Sequence, residues 1–138
     1  MKKPESHIIV TALMIIYIAM VLFCCLYNFS STPNIDIGKY FLGIRADRYI
    51  HFTMFLPYPF VMWLFLTYSK YFNSRNNSNS SIIRTKYIFP AILISGLFFA
   101  TLAEASQELL TQYRDTDPFD FVANITGISV GTLIIYII

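Results

Sequence analysis

The sequence predicts an all-α membrane protein, a compact bundle of four transmembrane helices, and three observations carry that expectation. Of the 138 residues, 56% are hydrophobic and 13% charged, with thirteen Phe and ten Tyr, far more apolar surface than a small soluble core uses. The apolar residues fall into four runs, each close to the ~20 helical residues that cross a hydrocarbon layer about 30 Å thick. The connections between the runs leave no room for a soluble domain, so residues 1–138 read as a single membrane domain. A net charge of +2 gives no reason to expect a nucleic-acid partner.

Helix one is expected over Ile8 to Tyr27. Lys2 and Lys3 precede it as they would a secretory signal, but the apolar run is long and no small-x-small cleavage site follows, so it stays as a membrane helix. Cys24 and Cys25 are adjacent, have no third Cys to pair with and lack metal-ligand spacing, and Phe23 is a poor residue for a lipobox. They read as small wall residues. The connection that follows, "NFSSTPNIDIGKYFLGIRADR", holds Pro33, Gly38 and Gly43 with the aromatics Tyr40 and Phe41, and is expected to lie on the membrane surface.

Helix two is expected over Tyr49 to Tyr68. Pro57 and Pro59 each withdraw a backbone donor, so a kink near mid-membrane is expected. The next connection, "SKYFNSRNNSNSSIIRTK", is Asn/Ser-rich and basic, which suits a solvated loop near anionic headgroups. Helix three runs from Tyr87 to Ala103 and extends to about residue 112, with Pro90 in its first turns. Helix four covers Phe119 to Ile138, and Gly127 and Gly131 recur at a four-residue spacing that lets another helix approach closely.

Basic residues in short connections stay on the cytoplasmic side. Six of the ten, Lys2, Lys3, Lys70, Arg75, Arg84 and Lys86, fall on one side, and Asp36, Asp47, Glu104, Glu108, Asp115, Asp117 and Asp120 fall on the other. Both termini and residues 70–86 are therefore expected inside, with 28–47 and 104–117 outside.

The outer ends of three helices carry polar groups at similar depth. Glu104 lies ~27 Å along the helix from Lys86 at 1.5 Å per residue, near the outer edge of the hydrocarbon, and Gln107 and Glu108 share its side. In helix four, Asp117 suits an N-cap, Pro118 the first helical position and Asp120 a capping-box-like role. Capping does not account for Asn124, one turn below Asp120. In helix two, Asp47 and His51 are one turn apart; a cap and a packing histidine are the plainer readings of each. Taken together, polar side chains at one depth on three helices require partners and converge on one outer pocket.

These residues, "DRYIHF", then Glu104-x-x-Gln107, Arg114, Asp120, Asn124 and Gly127, resemble the VanZ-like family of small bacterial membrane proteins. Its usual string is roughly D-K-x-x-H-F, E-x-x-Q, an Arg, and D-x-x-x-N-x-x-G. The match runs from about 47 to 131 and leaves helix one supported only by hydrophobicity. Arg48 stands where Lys is usual, replacing a point charge by a planar fork, and Glu108 adds a second acid. The resemblance implies a multi-pass protein of the bacterial cytoplasmic membrane with a cell-envelope role, some relatives being associated with teicoplanin resistance. It supplies no reaction.

Three functions fit this pattern. The first is binding of an anionic membrane lipid or lipid-linked cell-wall precursor by a site of Asp47, Arg48, His51, Glu104, Gln107, Arg114, Asp120 and Asn124, with Arg48 and Arg114 on phosphate and the amides hydrogen bonding. The second is a structural network that locks the helices. The third is acid/base catalysis by His51 with Glu104 or Asp120 on a lipid-linked substrate. No nucleophile elbow, phosphate loop or HExxH motif is present, and no cofactor is expected. A metal held by Asp47, His51, Glu104 and Asp120 is chemically possible.

Overall fold

A computed structural model of the chain describes residues 5–27, 40–68, 80–111 and 117–138. Arg114 and most of the Asn/Ser-rich connection lie outside the described residues, as does much of the first connection. Helix α1 spans Glu5–Leu26. Its buried residues Val10, Met14, Tyr17, Val21 and Cys25 recur every three or four positions and form one stripe. Ile8, Ile15 and Ile16 point away from the bundle, so the helix is apolar all round, as suits a lipid-facing element.

A two-residue hairpin follows, β1 (Tyr40–Phe41) pairing antiparallel with β2 (Ile44–Arg45). It was not foreseen in the sequence. Helix α2 (Ala46–Phe55) and helix α3 (Tyr58–Tyr68) together make the second membrane-length element, which starts at Ala46 and not Tyr49. Leu56 and Pro57 interrupt it where Pro57 and Pro59 withdraw their donors. The Phe60 and Val61 N–H groups both reach the Pro57 carbonyl, at 3.1 and 3.2 Å. In the last turn before the interruption, the Tyr17 hydroxyl of α1 donates to the Met54 carbonyl at 2.5 Å.

Helix α4 (Ser80–Leu110) contains Pro90, and helix α5 spans Pro118–Ile137. Four helical elements, Ile8–Leu26, Ala46–Tyr68, Tyr87–Leu110 and Pro118–Ile137, are long and apolar enough to cross a membrane by length and composition. Helix α5 packs chiefly on α2 and also on α3 and α4, while α1 packs on α3 and α4. The core between them is aromatic: Phe99 stacks on Tyr58 at 5.6 Å and meets Phe55 at 5.4 Å, centroid separations typical of favourable ring pairs.

The close approach expected at Gly127 and Gly131 is present. A Cβ on Gly127 would fall 2.6 Å from the Phe52 carbonyl oxygen and 3.1 Å from the Leu56 nitrogen, and one on Gly131 would meet the Leu56 oxygen and the Pro59 ring. The two glycines therefore seat the interruption between α2 and α3 directly on α5. That contact brings the first turns of α2 and α5 side by side.

Candidate functional site: a buried polar cluster at one end of the bundle

The ends of α2 and α5 nearest their N-termini and the end of α4 nearest its C-terminus share one end of the bundle. Three helices deliver four buried polar side chains there: His51 from α2, Glu104 from α4, and Asp120 and Asn124 from α5. Asn124 is fully buried and bridges two of the others. Its Nδ2 donates to Glu104 Oε1 at 2.8 Å, and its Oδ1 lies 3.0 Å from His51 Nδ1. With the amide in this orientation its oxygen can only accept, so the proton of the His51 contact is on Nδ1. The opposite ring nitrogen, Nε2, faces Asp120 Oδ2 at 3.7 Å, and Glu104 Oε1 is 3.9 Å from Nδ1. The imidazole thus sits between two carboxylates.

A second, ionic layer lies at the N-terminus of α2. Asp47, also buried, accepts the Arg48 backbone N–H at 2.9 Å and is hydrogen bonded by the Arg45 guanidinium. Asp117 is the N-cap of α5, as expected: its Oδ1 accepts the Phe119 N–H at 2.9 Å and Pro118 occupies the first turn. Its Oδ2 pairs with Arg45 at 3.1 Å and with Arg48 at 3.2 Å. The Phe119 amide and the two guanidiniums hold this carboxyl below the usual carboxylate value against a smaller opposing effect of burial. The Arg48 guanidinium also lies 4.4 Å over the Phe119 ring, a cation–π placement.

The eight residues read from sequence divide accordingly. His51, Glu104, Asp120 and Asn124 come together; Asp47 and Arg48 form the adjacent ionic layer; Arg114 lies outside the described residues. Gln107 is buried but turns elsewhere, donating from Nε2 to the Cys25 carbonyl of α1 at 3.1 Å. One turn beyond Glu104, it has rotated far enough round α4 to meet the end of α1, where the last carbonyls lack helical donors. Arg45 was missed, because it precedes the expected helix and its partner Asp117 is 72 positions away. Among the described residues no group of three or more His, Cys, Asp or Glu is placed to hold a metal ion.

Comparisons of the chain with family models, curated proteins and solved structures find no match.

Proposed function

We propose that the chain is a VanZ-like multi-pass protein of the bacterial cytoplasmic membrane, with both termini inside, and that its polar cluster binds an anionic lipid or lipid-linked cell-wall precursor at the outer leaflet. One observation carries the reading: the buried His51, Glu104, Asp120 and Asn124 adjoin a layer in which Arg45 and Arg48 keep 36% and 23% of their side-chain surface exposed. Guanidiniums at that position suit phosphate, whose oxygens accept two parallel N–H bonds. Intramembrane ionisable residues are expensive to hold in a bilayer and mark binding or transport sites. The bend expected at Pro57 and Pro59, set on Gly127 and Gly131, would hold the first turn of α2 over α5 and so fix the spacing of the two layers. An envelope role, including tolerance of teicoplanin, belongs to the same proposal.

A structural reading is favoured by a different observation, that the two hydrogen bonds of Asn124 tie α5 to both α2 and α4. Native mass spectrometry of gently extracted protein separates the two. With a binding site, wild type retains an anionic lipid, and Arg48→Ala and Glu104→Gln lose it and lose envelope function at normal membrane abundance. With a purely structural network, Asn124→Ala removes one hydrogen bond from each of two buried groups, at about 1–3 kcal/mol each, and abundance falls, while Glu104→Gln, which keeps size and hydrogen bonding, leaves lipid content and phenotype as in wild type. That last outcome rejects the binding site.

A further inference from the structure

The β1–β2 hairpin displays a leucine in a conformation that leucine disfavours. Leu42 and Gly43 have φ of 52° and 78°, the type I′ geometry whose twist matches paired strands and whose first position is usually Asn, Asp or Gly. Gly43 adopts it freely. For Leu42 the left-handed conformation is strained, its Cβ crowding the following carbonyl, and packing within the chain does little to offset this, because the residue is 83% exposed. Tyr40 and Phe41, at 69% and 65%, extend the same apolar tip.

The depth of the tip is set by its neighbours. Arg45 of β2 runs directly into Ala46, the first residue of the second membrane-length element. The Tyr49 hydroxyl donates to the Phe41 carbonyl at 3.2 Å, and the two rings meet edge-on at 6.1 Å. The hairpin is therefore folded against the first turn of a membrane-length helix, with a partly exposed arginine at its base. Aromatic side chains concentrate at the membrane–water boundary and arginines favour the anionic headgroup layer.

We propose that this hairpin is an interfacial wedge: Phe41 and Leu42 enter the lipid just below the headgroups of the leaflet at that end of the bundle, with Arg45 at phosphate level. The occupant of the exposed tip is the bilayer, and the wedge holds the ionic layer at headgroup depth. The inference does not depend on whether the polar cluster binds a ligand.

Tryptophan depth measurement tests it. Trp63 is the single tryptophan, so Phe41→Trp and Leu42→Trp are made separately in a Trp63→Phe chain and reconstituted in vesicles of phosphatidylcholine and phosphatidylglycerol brominated at defined acyl positions. The wedge predicts blue-shifted emission from both reporters, quenched more strongly by bromine near the headgroup end of the chain than near its terminus. Adding Leu42→Asn, which suits the turn, to the Phe41→Trp reporter should keep the protein folded and weaken the bromolipid quenching. Water-like emission quenched by iodide at both positions overturns the proposal. So does blue-shifted emission without bromolipid quenching, the signature of a tip covered by protein. Unchanged quenching with Leu42→Asn removes the leucine from the device and overturns it equally.

Discussion

The carboxylate of Asp117 joins the hairpin, α2 and α5, and its protonation should be readable in the stability of the whole protein. The Phe119 N–H, then Arg48 and Arg45, depress its pKa below the ordinary 3.8. A group depressed on folding contributes stability that is present above its unfolded pKa and disappears as pH falls through the folded value. The stability of the detergent-solubilised protein against thermal unfolding should therefore fall as pH drops below 3.8, and Asp117→Asn should remove part of that slope. Asn is an equivalent N-cap, so the change isolates the charge; an unaltered slope in the variant would assign the acid sensitivity to other carboxylates. The cap itself was legible in "DPFD" because it is local. The ion pairs were not, since Arg45 and Asp117 are 72 positions apart and sequence spacing says nothing about such contacts. Convergence of His51 with Asn124, 73 positions apart, was legible only as shared depth, because helical rise fixes height. Rotation round the axis decided that Gln107 turns to α1 instead.

Among the elements, the membrane-length helices were legible from hydrophobicity to within a few residues, but their inward faces were not. In α1 the buried Val10 and Met14 are no more apolar than the outward Ile8, Ile15 and Ile16, since lipid and core are equally apolar surroundings and periodicity carries no signal. The hairpin escaped notice because each strand has two residues and Leu42 is not a turn-forming type. Glycines gave the clearest packing signal. Gly127→Ala and Gly131→Ala place a methyl against backbone of α2 or its C-cap, which cannot rotate away, whereas a methyl at Gly96 meets side chains of Ile128 and Tyr58 first, at 2.9 and 3.1 Å. Overpacking of this kind costs roughly 1–3 kcal/mol. Both α5 substitutions should lower the unfolding temperature in detergent more than Gly96→Ala does; the reverse order would mean that α2 is not held on α5 by these contacts.

At the scale of the whole molecule, the proposed orientation rests on where basic residues lie relative to the membrane-length helices. Lys2, Lys3, Lys70, Arg75, Arg84 and Lys86 flank one side, against Lys39, Arg45, Arg48 and Arg114 on the other. Insertion reads such residues within a few turns of the spans, so the first group should remain cytoplasmic. The second includes Arg45 and Arg48, which the folded protein commits to Asp47 and Asp117, so the minority side uses its cations within the site. Two exposed positions at opposite ends of the bundle test this in intact cells: Leu109, 82% exposed near the end of α4, and Ile138, 93% exposed after α5. In a background with Cys24→Ser and Cys25→Ala, the second choice respecting a buried position, a membrane-impermeant thiol reagent should label Leu109→Cys from outside and reach Ile138→Cys only after permeabilisation. The opposite pattern would place the polar cluster at the cytoplasmic face, where a cell-wall precursor in the outer leaflet could not meet Arg45 and Arg48.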